Sequence, residues 1–167
     1  MQCGGDRFEA GTVHKMVKPL KKKTYLAVIE NSIGSNTYRN SYALVDGEER
    51  DILKGGRLSC AFYVSSILLM FGLIKEIHST VKGTERDLEA SGWQKVDSFE
   101  KGDVIFWEEI EGEDGRHGHV GFFWDEHSAI SNDSNAGSPA KHDLNFSIES
   151  QSSRKIVFGY RHSNLQD

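Results

Sequence analysis

Residues 102–123, GDVIFWEEIEGEDGRHGHVGFF, are the stretch that decides the fold. Its two ends, 104–107 and 119–123, are rich in β-branched and aromatic residues, whereas the middle, 108–118, is charged and contains glycine. Short apolar runs separated by turn residues predict β-strands. We therefore expect two strands joined by a charged loop, with His119 at the first position of the second strand and exposed there.

The sequence beyond this stretch continues the pattern. The second strand runs on to Trp124, and 128–132 predicts its hairpin partner after a turn at 125–127. Residues 133–143 are polar and predict a loop, and 155–161, KIVFGYR, predicts a last strand. An antiparallel sheet is therefore expected in the C-terminal half of the chain.

Helices are predicted before the sheet. The clearest is 60–71, which is apolar on nearly all sides, follows a candidate cap at Ser59 and stops at Gly72. Because helices come first and an antiparallel sheet afterwards, the fold class is α+β, with the apolar helix packed on the sheet. Two shorter helices are predicted at 25–33 and 84–92, opened by Thr24 and Thr84.

The composition fits one globular domain. The chain has 167 residues, of which 37% are hydrophobic and 27% charged, enough for a core of its own. We expect a loosely held arm over 1–20 and one domain over 21–167, acting as a monomer. A formal net charge of −5 argues against sequence-independent binding to nucleic acid, which needs a basic surface. The longest apolar run, 61–74, is too short and too interrupted to span a membrane.

Cys60 opens the most apolar predicted helix, in LSCAFYVS, residues 58–65. The partial positive charge of a helix N-terminus favours a thiolate, and its N–H groups can hold an oxyanion. The competing interpretation is a small buried hydrophobic residue. The other cysteine, Cys3, lies in a glycine-rich start, so a disulfide framework is not expected.

His119 is the candidate general base for this thiol. A third polar group would have to orient its imidazole, as in catalytic triads generally. A tight hairpin return puts Asn132 opposite His119, where its amide oxygen can accept a hydrogen bond from the ring N–H. A slip of one residue would put Ser131 or Asp133 there instead.

In their order along the chain, these segments resemble the NlpC/P60 cysteine peptidases, a permuted branch of the papain-like superfamily. The family pattern combines a tyrosine segment, a cysteine motif that opens a helix, a Gly-Asp strand and a His-Val-Gly strand. Ser59 stands where the family usually has Asp, and Ala61 and Phe62 replace its Ser-Gly pair. The matching segments are SNTY at 35–38, SCAFYV at 59–64, GDVIFW at 102–107 and HVGFF at 119–123.

The resemblance implies a papain-like fold and a cysteine hydrolase that cleaves an amide bond without cofactor or metal. Its expected substrate is peptidoglycan or a short peptide, cut within stem peptides or at the glycan–peptide link. Cys60 would be the nucleophile, His119 the general base and Asn132 the orienting group, and the Cys60 N–H would hold the oxyanion. The expected substrate-contacting residues are Tyr38, whose hydroxyl is a second candidate for the oxyanion, Ser59 and His117.

Other interpretations stay open. His117 and His119 form an H-x-H pair that could bind Zn²⁺ together with Asp103 or His127. A CHAP-type amidase or an acyltransferase on a related fold shares the Cys-then-His order, and a ligand-binding module without activity would explain the altered motif around Cys60. No apolar signal segment is visible, so the location stays open between the cell envelope, if such a segment was removed, and the cytoplasm.

Overall fold

The computed structural model describes residues 17–112, 115–146 and 153–166. Within them the chain is a mixed α+β structure, so the predicted class is confirmed; most of the expected N-terminal arm, with Cys3, lies outside the described residues. The elements are α1 Lys21–Asn31, β1 Tyr42–Val45, β2 Glu48–Asp51, α2 Cys60–Met70, α3 Val81–Ala90, β3 Gln94–Val96, β4 Val104–Gly112, β5 Gly115–Asp125, β6 Ser128–Asp133, β7 Ser138–Asp143 and β8 Ile156–Arg161.

The six strands β3 to β8 form one antiparallel sheet in the order β3-β8-β4-β5-β6-β7, and β1 with β2 forms a separate hairpin. Successive side chains of a strand point to opposite faces, so β5 serves two clusters. Val120 and Phe122 pack with α2 in the main core, whereas Trp107 of β4 and Ala129 of β6 lie in a second cluster. The candidate site lies where these strands meet the start of α2.

The central helix α2 begins at Cys60 as predicted and ends at Met70, with Gly72 in a left-handed conformation (φ 62°) just beyond it. Its apolar residues are buried against β5 and β6, as the all-round apolar pattern indicates. Ser59 occupies the N-cap position, but its hydroxyl makes no capping hydrogen bond. The first-turn N–H groups of α2 therefore receive no side-chain cap.

Both shorter helices begin earlier than the sequence predicts. α1 starts at Lys21, because the lysines before Thr24 are good helix formers, and the Thr24 hydroxyl donates to the Leu20 carbonyl instead of capping. α3 starts after Thr80, whose hydroxyl accepts the Gly83 N–H at 3.1 Å. Thr84 lies inside that helix and is buried.

Two predicted loops are strands. The ladder of β4 and β5 continues through Ile110↔His117 to Gly112↔Gly115, and β7 pairs with the whole of β6. Charged side chains on the extended hairpin, such as the Arg116–Glu109 pair at 3.2 Å, point to solvent and hide the strand pattern. As a consequence, His119 lies inside β5 and is 5% exposed, not at an exposed strand end.

Among the described residues, no helix has the length and apolar character needed to cross a membrane.

Candidate active site

Cys60 lies at the point where β5 and β6 separate. The pairing of the two strands reaches Gly121↔Ser131 and goes no further towards His119. The start of α2 occupies this position, and the backbone N–H groups of Val120 and Ala61 lie close enough to the Cys60 thiol to lower its pKa. The nucleophile candidate is thus held against the residue that follows His119 in the chain.

The ionisation of the Cys60 thiol is set by opposing effects. Burial raises its pKa, and this effect outweighs the hydrogen bonds from the Val120 and Ala61 N–H groups and the positive charge of Arg154, which lower it. The net shift is upward, so Cys60 is a neutral thiol at neutral pH. A base is therefore required before the sulfur can attack a carbonyl carbon.

A chain of hydrogen bonds runs from His119 across three strands. His119 Nε2 lies 2.7 Å from Ser131 Oγ, and Ser131 Oγ lies 2.7 Å from His142 Nε2. His142 Nδ1 lies 2.8 Å from the carbonyl oxygen of Asp143. All three side chains project from one face of the sheet, on β5, β6 and β7.

With His142 neutral, the carbonyl at the end of this chain fixes the position of each proton. A carbonyl oxygen can only accept, so His142 Nδ1 carries a hydrogen, and the Nε2 of a neutral His142 accepts from the Ser131 hydroxyl. The Ser131 oxygen then accepts from His119 Nε2–H. His119 Nδ1 is left without a proton, which is the state that a general base needs.

Gly121 makes the contact between Ser131 and His119 sterically possible. A Cβ atom at Gly121 would lie 2.5 Å from the Ser131 Cβ and 3.2 Å from the Trp107 ring. Such distances are well inside van der Waals contact, so any larger residue would push Ser131 away. The glycine of the HVG segment therefore has a steric role in the site.

The expectation that Asn132 lies against His119 is wrong. The observed turn pairs Asp125 with Ser128, and a bulge follows between Phe123 and Asp125. Together they pair Ser131 with Gly121 and place it on the same face as His119, so its hydroxyl reaches the His119 ring diagonally.

Asn132 instead joins three segments. Its Oδ1 accepts from the Ser59 hydroxyl at 2.8 Å, and its Nδ2 donates to the Gly56 carbonyl at 2.7 Å. It ties the start of α2 and the loop before it to β6. Asn132 is 1% exposed and Ser59 is fully buried, so the expected substrate contact from Ser59 does not fit its position.

His119 is held in its neutral form. Burial lowers its pKa well below the usual value, and the positive charge of Arg154 and the nearby His142 and His117 lower it further. Both candidate side chains, the His119 imidazole and the Cys60 thiol, are therefore neutral in the resting state. The thiol proton moves only when a substrate reacts.

Arg154 is a functional candidate that the sequence does not reveal, since it stands alone in a polar segment. Arg154 is 7% exposed, and its guanidinium donates to the carbonyl oxygens of Glu108 at 2.7 Å and His117 at 2.6 Å. The same cation lowers the pKa of both Cys60 and His119. Arg154 thus favours a thiolate while disfavouring an imidazolium.

Aromatic rings cover the hydrogen-bond chain. The Phe146 ring stacks on His142 at 4.0 Å between centroids and meets His119 edge-on at 5.4 Å. Trp107 lies 5.3 Å from the His119 ring, and its Nε1–H donates to the Leu144 carbonyl. These contacts shield the chain from water, which strengthens its hydrogen bonds.

The remaining predicted site residues lie in different surroundings. His117 lines a cavity of about 280 Å³ together with His119, His142 and Arg154. Tyr38 is 8% exposed, and its ring packs edge-on against Tyr63 at 4.9 Å.

The residues of the zinc interpretation are not brought together. Asp103 binds Arg161 at the other end of β4, and His127 lies in the β5–β6 turn. Within the part of the chain that the structure describes, no group of three His, Cys, Asp or Glu side chains could hold a metal ion.

The sequence matches no protein-family model and no curated protein. The resemblance to the NlpC/P60 peptidases therefore stays a prediction.

Proposed function

We propose that the protein is a cysteine hydrolase that cleaves an amide bond, with Cys60 as nucleophile and His119 as general base. The observation that carries this proposal is the chain of hydrogen bonds from His119 through Ser131 to His142, which leaves His119 Nδ1 unprotonated when His142 is neutral. The Cys60 thiol lies near the backbone of Val120, the residue that follows His119 in the chain. A merely buried cysteine would need neither a base of defined tautomer nor a relay behind it.

In the proposed reaction, His119 Nδ1 takes the proton from Cys60 as the sulfur attacks the carbonyl carbon of the amide. The negative charge of the tetrahedral intermediate develops near the start of α2, where the Cys60 N–H can donate to it. The protonated His119 donates to the leaving amine, and a thioester remains on Cys60. Water, deprotonated by His119, then releases the acid and restores the thiol.

The proposed substrate class is the peptide part of peptidoglycan. Support comes from the sequence resemblance of the Cys60, Gly102 and His119 segments and from the open cavity beside the relay. Arg154 lines this cavity and its charge acts on both reacting side chains.

Digestion of purified peptidoglycan, analysed by mass spectrometry, tests the proposal. Wild type and Cys3→Ala, which removes the other thiol, should release the same fragments, whereas Cys60→Ala should release none. New amino termini inside stem peptides identify an endopeptidase, and intact stems freed from glycan identify an amidase. Equal digestion by Cys60→Ala, or no digestion by wild type, would contradict the proposal.

A further inference from the structure

A second cavity adjoins the one beside His119. Its volume is about 520 Å³, and it shares the lining residues His117, Ser134 and Asn135 with the first. A molecule whose reacting bond lies near His119 can therefore extend past His117 into the second cavity. The rest of its wall consists of Arg39, Lys54, Gly55, Arg57 and Leu58.

The wall of this second cavity is positively charged. Arg39, Lys54 and Arg57 contribute cationic side chains, and none of its described lining residues is acidic. This positive charge is a local feature of the cavity wall, since the whole chain carries a formal net charge of −5. Lys54 and Arg57 each have a further interaction within the chain. What they add to the cavity is the positive electrostatic potential of its wall.

Positive charge continues into the first cavity. Arg154 lines it, is 7% exposed and makes no ion pair with a described carboxylate, since its hydrogen bonds go to backbone carbonyl oxygens. The acidic residue of that wall, Asp133, accepts the Asn135 N–H at 2.8 Å within its own turn. An anionic ligand would therefore meet a cationic wall in the second cavity and the Arg154 guanidinium in the first.

Lys54 and Arg57 lie on the loop after β2, whose backbone touches the β6–β7 turn on the other side of the cavity. A Cβ at Gly56 would collide with the Gly137 backbone, so the loop after β2 and the β6–β7 turn approach closely only because both positions are glycine. Asp51 holds the first loop: burial alone would raise its pKa, but N–H groups of Gly55 and Ser41 donate to it and bring the pKa to about 2. Lys54 and Arg57 therefore project from a loop that is held in place.

We propose that the cavity lined by Arg39, Lys54 and Arg57 binds a carboxylate group of the peptide substrate. This inference rests on the proposed hydrolase function and names what that site recognises beyond the scissile bond. Guanidinium groups fit carboxylates in a bidentate manner, and the position of the cavity beside the relay suits a substrate that carries its charge away from the cleaved amide. Arg39 supplies one of these guanidinium groups, which donates to the Asn36 side chain at 3.4 Å.

Calorimetric titration of full-length Cys60→Ala separates binding from cleavage. The probes are a soluble peptidoglycan stem peptide with free carboxylates and the same peptide with its carboxylates amidated. The free-carboxylate peptide should bind about tenfold more tightly, since a charge-assisted hydrogen bond at a solvent-open site contributes at the low end of its range. Adding Arg39→Gln should abolish this preference, whereas adding Arg86→Gln, an exposed arginine on α3, should preserve it.

The outcomes distinguish this inference from the proposed function. Equal affinity for the two peptides, or no binding of either, overturns the carboxylate site even if the wild type hydrolyses peptidoglycan. Loss of the preference in Arg86→Gln as well as in Arg39→Gln also overturns it. A carboxylate preference without any hydrolysis by wild type leaves the binding site standing and contradicts the hydrolase.

Discussion

Replacing Ser131 by alanine removes the link between the two imidazoles. Ser131 is fully buried, so the substitution leaves two buried nitrogen atoms, His119 Nε2 and His142 Nε2, without their present partner. In the transition state His119 is positively charged, and a hydrogen bond to a charged group contributes about 1.5–3 kcal/mol. At 1.4 kcal/mol per tenfold change, kcat/KM should fall by roughly 10- to 150-fold.

The assay is kcat/KM for the cleavage of a soluble stem peptide, measured together with the thermal midpoint. Ser65→Ala is the matched control, because Ser65 is equally buried and donates to the Ala61 carbonyl within α2, away from the relay. Both variants should lose stability, by about 1–3 kcal/mol for each buried group left unsatisfied. Ser131→Ala should in addition lower kcat/KM, whereas Ser65→Ala should leave kcat/KM unchanged. Equal kcat/KM values for the two variants would refute a catalytic role of the relay.

Three further outcomes follow from the site. Arg154→Gln should raise the pKa of His119, so the acid limb of the kcat/KM profile moves to higher pH, whereas Arg154→Lys should keep it in place; an unmoved limb in Arg154→Gln contradicts this electrostatic role. Gly121→Ala should lower both activity and thermal stability, because its methyl group displaces Ser131; wild-type activity would show that the contact is dispensable. Asn132→Ala should lower the free energy of unfolding, measured by urea denaturation, by about 1–3 kcal/mol, because it leaves the buried Ser59 hydroxyl and Gly56 carbonyl unpaired. An unchanged midpoint would show that these two hydrogen bonds do not stabilise the fold.

The sequence predicted the elements whose burial pattern is strong. The helix beginning at Cys60, the hairpin of β5 and β6 and the last strand are long or apolar enough to be recognised by periodicity. β7, Ser138–Asp143, was missed because its sequence SPAKHD is mostly polar and forms the edge of the sheet. Because this strand was not predicted, His142 was not recognised as a site residue. The turn residues before the strand could have indicated a second hairpin, which would place His142 on the same face of the sheet as Ser131.

The residue that contacts the His119 ring could not be predicted from residue spacing. Asn132 and Ser131 differ by one position, and that position is decided by a bulge between Phe123 and Asp125 that no local sequence signal specifies. Arg154 is a second case, because its electrostatic effect on Cys60 depends on chain packing between distant segments. Long-range geometry of this kind cannot be obtained from residue spacing.

The most direct test of the account is to trap the covalent intermediate. A stem-peptide p-nitrophenyl ester is mixed with the wild-type protein, quenched in acid and analysed by intact mass and peptide mapping. The account predicts one acyl group on Cys60, formed with a burst of p-nitrophenol, and no adduct in Cys60→Ala. Hydrolysis of the ester at the wild-type rate in Cys60→Ala, or an acyl group on another residue, would contradict it.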